Sequence, residues 1–155
     1  MVLVDNTVLS NFALVHKIQL LTTALAGEAT TTSQVIEEFR AGIANGRLPE
    51  TKIDWLGVIE LDAEESSYFQ RLLSRLNAGE AACLAIAAKR NAQLLTDDRD
   101  ARKLAAQLKV PVSGTIGILL RLVQIDVLTY DDANEILRLM IDKGYRSPVQ
   151  KLEDL

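Results

Sequence analysis

Carboxylates recur in this chain where buried runs end or helices begin. Asp5 closes the run Val2-Leu3-Val4, Glu37 and Glu38 lie within a helical stripe, Glu80 follows Asn77-Ala78-Gly79, and Asp97, Asp98 and Asp100 follow Gln93 to Thr96. Each has an ordinary structural role open to it. Asp5, Asp97 and Asp98 can cap the helices that follow them, and Glu80 can close a capping box with Asn77. As a set they offer other chemistry. Clustered carboxylates repel and push one another towards protonation, and a divalent cation relieves that cost. All-oxygen ligands suit Mg²⁺ or Mn²⁺, with substrate phosphate completing the shell. The matching reaction is metal-assisted hydrolysis of a phosphodiester.

Helix geometry separates the paired glutamates. Val35, Ile36, Phe39 and Ile43 form one apolar stripe. At about 100° per residue, Glu38 lies roughly 115° from its centre and Glu37 roughly 145°. Glu38 therefore flanks the buried face, and Glu37 points further into solvent. Arg99, Arg102, Lys103, Lys89 and Arg90 can attract a nucleic-acid backbone, or simply solubilise helices. Trp55, Tyr68 and Tyr145 show no spacing that suggests a base-stacking platform. The single histidine, His16, and single cysteine, Cys83, exclude a multi-histidine cage, a cysteine-rich zinc site and an internal disulfide.

The elements that must position these groups alternate. Short aliphatic or Thr-rich runs at 2–4, 29–32, 58–61, 93–96 and 110–112 read as strands. Between them run helical stripes: Val8, Phe12, Val15; Leu20, Leu21, Leu25; a helix capped by Ser33; Glu64 to Leu76 with Leu72, Leu73 and Leu76 inward; the Ala-rich Glu80 to Arg90; and Ala101, Leu104, Ala105, Leu108. Two more follow, with Ile116, Leu119, Leu120 and Val123 on the first, and Ala133, Ile136, Leu137, Met140 and Ile141 on the second after a Thr129-x-x-Asp132 start signal. This alternation predicts an α/β domain with a mainly parallel sheet, whose ligands bind beyond the carboxyl ends of the strands.

With 155 residues, 48% of them hydrophobic and 25% charged, the chain predicts one domain over 1–155, with 145–155 as a C-terminal extension. No apolar run approaches the roughly 20 residues of a membrane span, and the start meets Asp5 without a basic flank, unlike a signal or transit peptide. The expectation is a cytoplasmic protein. The net charge of −4 hides an uneven distribution: residues 81–125 hold 7 basic and 3 acidic side chains, while both flanks are acidic.

The ordered motifs Val4-Asp5-Asn6-Thr7-Val8-Leu9, Val35-Ile36-Glu37-Glu38-Phe39, Gly79-Glu80-Ala81-Ala82, Leu95-Thr96-Asp97-Asp98-Arg99-Asp100-Ala101-Arg102 and Gly114-Thr115-x-Gly117 resemble a PIN domain. The resemblance is to the nuclease module of VapC-type toxins, within a group of short toxin-like proteins, and it covers nearly the whole chain. It implies a three-layer α/β/α sandwich around a mainly parallel sheet, and a Mg²⁺- or Mn²⁺-dependent endoribonuclease. Asp5, Glu38, Glu80 and Asp98 match the catalytic acids, with Asp97 and Asp100 as additional metal candidates. Thr7 and Thr96 would orient carboxylates or waters. Glu80 stands where many members have Asp, a departure that bears on metal preference. The resemblance further implies RNA as substrate, a small antitoxin as partner and a homodimer. Phe12, Leu14, Leu20, Leu21 and Leu25, or Val149, Leu152 and Leu155, would supply apolar surface for that dimer, unless they pack within one chain. Two alternatives stand beside this reading. One is a non-catalytic PIN-like module that binds nucleic acid or protein. The other is a receiver-type phospho-acceptor domain, disfavoured because Asn6-Thr7 follows Asp5 and Ser113-Gly114 follows Val112 where that class wants paired acids and a lysine.

Overall fold

The computed structural model describes residues 1–155. Five short strands, β1 (Val2–Val4), β2 (Ala29–Thr32), β3 (Gly57–Ile59), β4 (Gln93–Leu95) and β5 (Val112–Ser113), form one sheet in the order β3-β2-β1-β4-β5. Every pairing is parallel, with Val2 opposite Ala29 on one side and Gln93 on the other. Eight α-helices connect and cover them: α1 (Asn6–Leu14), α2 (Gln19–Leu25), α3 (Ser33–Ala44), α4 (Ala63–Leu72), α5 (Ala78–Arg90), α6 (Arg99–Gln107), α7 (Thr115–Gln124) and α8 (Tyr130–Asp142). A 3-10 turn at Leu152–Asp154 ends the chain. This is a three-layer α/β/α sandwich. Its strand order reverses between β1 and β4, the switch point beyond which such sheets bind ligands. A receiver-type domain has the order 2-1-3-4-5, so the topology removes that alternative.

The inner strands are aliphatic because both faces are covered: Leu3, Val4, Leu94 and Leu95 are fully or almost fully buried. The small residues of α5 let it lie close beneath them, and everything from Gly79 to Ala87 is buried. β3 is the exposed edge, with Val58 half in solvent.

Several expectations need correcting. α3 is capped by Thr32, not Ser33: the last residue of β2 is extended and its hydroxyl accepts from Val35 N at 3.3 Å. α4 ends at Leu72, so Leu72 and Leu76 point inward but Leu73 is 38% exposed. β5 lies two residues later than expected, because Val110 N bonds Ala105 O and closes the preceding helix instead. On α7 the fully covered face is Ile118, Leu119 and Leu122, with Ile116, Leu120 and Val123 half-buried at its margin.

The apolar surface expected for a dimer is mostly spent within the chain. Phe12 and Leu21 are fully buried, Leu25 is buried, and Leu14 and Leu20 are half-covered. The helical covering layer against which they pack includes α7, from which Arg121 Nε donates to Ala24 O. In the C-terminal segment Leu152 is buried and its N–H donates to Asn134 Oδ1 at 2.8 Å. Of the apolar residues named for a dimer, only Leu155 is exposed, at 62%.

Candidate active site

Asp5 stands at the carboxyl end of β1 with its N–H bonded to Leu95 O, so it begins where the central strand stops. Its side chain is 1% exposed. Oδ2 accepts from Thr96 Oγ1 at 2.8 Å and Thr7 Oγ1 at 3.0 Å. Those two hydroxyls in turn accept from the backbone N–H groups of Asp98 and Asp97. A backbone N–H can only donate, so it turns each hydroxyl hydrogen towards Asp5. Two hydroxyls thus tie Asp5 to the turn between β4 and α6. Asp5 Oδ1 is buried with no partner. Burial outweighs the hydroxyl bonds and holds the Asp5 carboxyl above its usual value.

Glu38 reaches from α3 to the start of α5. Gly79 N donates to Glu38 Oε1 at 2.7 Å, so a side chain on one helix satisfies an orphan N–H of another. A Cβ at position 79 would lie 2.7 Å from the same oxygen, so any larger residue there would have to push the Glu38 carboxylate aside. Glu38 is half-buried and Glu37 is exposed. Glu80 is buried at N3 of α5 and forms the capping box: Asn77 N donates to Glu80 Oε1 at 3.1 Å, and Glu80 N to Asn77 Oδ1 at 2.9 Å. Asp98 caps α6, with Ala101 N donating to Oδ2 at 2.8 Å, and is half-buried. Capping occupies one oxygen of each of these two side chains.

The four carboxylates share one electrostatic environment. Glu80 is pushed up to about 7, first by burial and then by the negative charges of Asp5, Asp98 and Glu38. Glu38 is raised by burial and by Asp5, against the Gly79 bond that lowers it. As the side chains lie, no three acidic, histidine or cysteine groups stand close enough to close on one ion. The donor chemistry nevertheless fits a hard divalent cation: all the groups are carboxylate oxygens, they oppose one another, and one buried oxygen is orphaned.

Asp97 and Asp100 stand apart from this set. Asp97 accepts from Thr115 N (2.9 Å), Thr115 Oγ1 (2.5 Å) and Asn11 Nδ2 (2.9 Å), bracing β4 against α1 and the start of α7. Asp100 is exposed in the first turn of α6. Arg99, Arg102 and Lys103 are exposed on α6, and Arg102 Nη1 donates to Thr96 O at 2.9 Å. Arg90 is committed elsewhere, to Glu65. Cys83 is fully buried, which drives its thiol well above the usual value and keeps it protonated. Nothing in the sequence marks Asn11 as a brace. The signal for Thr115 was its place in Gly114-Thr115-x-Gly117.

An all-parallel sheet with helices on both faces defines an α/β/α domain. The chain belongs to the PIN domain family: the family model described as DUF3368: PIN domain matches residues 1–155. Membership gives the chain a nuclease-type fold, and PIN domains are generally hydrolases. No curated protein and no solved structure matches the chain. No helix is long and apolar enough to cross a membrane.

Proposed function

We propose that this chain is a Mg²⁺- or Mn²⁺-dependent endoribonuclease, the toxin of a prokaryotic toxin–antitoxin pair working in the cytoplasm. The observation that carries the reading is the buried Asp5 with an unpartnered oxygen, whose charge raises the carboxyls of Glu38 and Glu80. These four side chains would hold the metal. When bound, the metal would supply an activated water and offset charge on the leaving oxygen. The chain's own groups do the rest. Thr7 and Thr96 orient Asp5, the Gly79 N–H fixes Glu38, and the Asn77–Glu80 capping box holds the start of α5. The resemblance to VapC-type toxins supports the antitoxin and the homodimer, and light scattering at micromolar concentration tests the dimer. A cleavage assay on single-stranded and structured RNA, with Mn²⁺ or with chelator, tests the activity. RNA cut equally in both conditions, or in neither, overturns the reading.

Glu38 and Glu37 provide an internal control. Glu38→Gln is expected to slow cleavage roughly 10²-fold, and Glu37→Gln to leave it within about twofold. Equal losses would contradict the assignment.

The raised carboxyl of Glu80 gives a readout independent of activity. The folded state holds this proton more tightly than the unfolded chain, so its stabilising effect is complete below the unfolded value of 4.5 and is lost as pH rises through about 7. A divalent cation must displace the same proton, so it binds more tightly above pH 7 than below. The rise in Tm produced by Mg²⁺ is therefore expected to be about 2–4 °C larger at pH 8 than at pH 6. Glu80→Gln keeps a side chain able to complete the capping box. It should match or exceed the wild-type Tm without metal at pH 8, and lose the metal response. A Mg²⁺ response that does not change with pH would remove Glu80 from the ligand set.

A further inference from the structure

We infer that the groove between the start of α6, the start of α7 and residues 145–148 is a nucleotide subsite, which seats one unpaired nucleotide of an RNA strand beside the scissile phosphate. The identity of the strand as RNA rests on the endoribonuclease reading; the subsite rests on the groove itself. Its volume is about 980 Å³ and its wall includes Asp98, so it opens where the carboxylates end. That volume is at the upper end of the roughly 300–1,000 Å³ of small-molecule sites.

Three arginines line it: Arg99, Arg102 and Arg146. None takes part in any ion pair of the molecule, although Asp97, Asp98 and Asp100 line the same groove. The acids are partly spent. Asp97 accepts from Asn11 and twice from Thr115, Asp98 gives one oxygen to the cap of α6, and Asp100 lies out in solvent. Arg102 is pinned through Nη1 to Thr96 O, which leaves its other N–H groups for a ligand.

Apolar side chains share the lining. Tyr145 is half-buried there beside Ile116 and Leu120. Burial and the nearby Asp97 charge keep its phenol protonated, with Arg102 acting in the other direction. Cationic donors and a neutral aromatic ring in one groove are what a phosphate and its base require of a single-strand site. The wall is also fixed. Tyr145 N donates to Met140 O, Ser147 Oγ to Val149 O, and Leu152 is anchored in the core.

The test is anisotropy of a labelled single-stranded oligoribonucleotide of about eight nucleotides in chelator, where cleavage is silent. Arg146→Ala and Tyr145→Ala are expected to weaken binding about tenfold each, Tyr145→Phe to retain it, and Arg47→Ala, exposed beyond the far end of α3, to leave it within about twofold. Arg146 is exposed, so its variant reports even if Tyr145→Ala fails to fold. Wild-type affinity in Arg146→Ala, a loss in Tyr145→Phe as large as in Tyr145→Ala, or no binding by the wild type overturns the subsite. Wild type that binds but never cuts with Mn²⁺ defeats the nuclease reading and leaves the subsite standing. Cleavage with an unchanged KM in Arg146→Ala defeats the subsite and leaves the nuclease.

Discussion

Asp5→Asn is expected to lower the rate of metal-dependent RNA cleavage by roughly 10³-fold while the protein stays folded. The substitution is nearly isosteric. The amide oxygen can still accept from Thr7 and Thr96, the two bonds that fix this side chain. The amide nitrogen then takes the position of Oδ1, which is buried without a partner and lies in the field of other carboxylates. A buried charge is thereby replaced by a neutral donor. Burial raises the Asp5 carboxyl, so the ionised form is the unfavourable one, and its contribution to stability falls as pH rises. The variant should therefore melt at or above the wild-type temperature at pH 8 without metal, and should show no added stability with Mn²⁺. Loss of the fold with cleavage retained per folded molecule would instead make Asp5 a structural cap.

The largest stability effect is expected far from the site, at Arg90. Arg90 Nε and Nη2 donate to the two oxygens of Glu65, both at 2.7 Å, and Nη2 also reaches Glu60 O at 3.2 Å. Glu65 is fully buried and closes the capping box of α4 with Asp62. The arginine holds the Glu65 carboxyl below its usual value. This stabilisation is present above the unfolded value and is lost as pH falls through the folded one. Arg90→Ala strands a buried carboxylate. The cost is expected to be about 2–4 kcal/mol, below that of a fully buried pair because the arginine side chain is 34% exposed. Tm should fall by roughly 5–15 °C. Glu65→Gln keeps the capping geometry and should cost less. Cleavage per folded molecule should not change in either variant. A melt for Arg90→Ala within a degree or so of wild type would show that solvent screening cancels the pair.

The same residue shows where reading the sequence stops. Arg90 and Lys89 at the end of an Ala-rich helix look like solvent-facing cations open to RNA, and nothing local reveals that Glu65, 25 positions earlier, is buried beneath one of them. The strands at 2–4, 29–32 and 93–95 are legible because short β-branched or aliphatic runs stop abruptly at acids, threonines or helix signals. So was the order of acids along the sheet edge. Leu73 was misread because the helical period was carried one turn beyond the point where α4 ends. Phe12 and Leu21 take the internal packing that the sequence left open beside a dimer, because a helix packed on both sheet and neighbouring helices buries more than one stripe. The groove was invisible, since Tyr145 and Arg146 follow a helix stop and share no periodicity with Arg102 or Ile116.

The strand nearest the start of the chain is the middle strand of the sheet. During synthesis residues 2–4 emerge long before residues 93–95, their partners on one side, and Asp5 waits for Thr96, 91 positions later, to fix its carboxylate. Contacts of such separation form late, because closing a long loop costs entropy before any contact repays it. A partly made chain that stops short of β4 therefore has its first acid but not the hydroxyl from Thr96 that aims it. The arrangement around Asp5 is therefore completed late in synthesis, and a ribosome stalled halfway would carry a chain in which that carboxylate is not yet held.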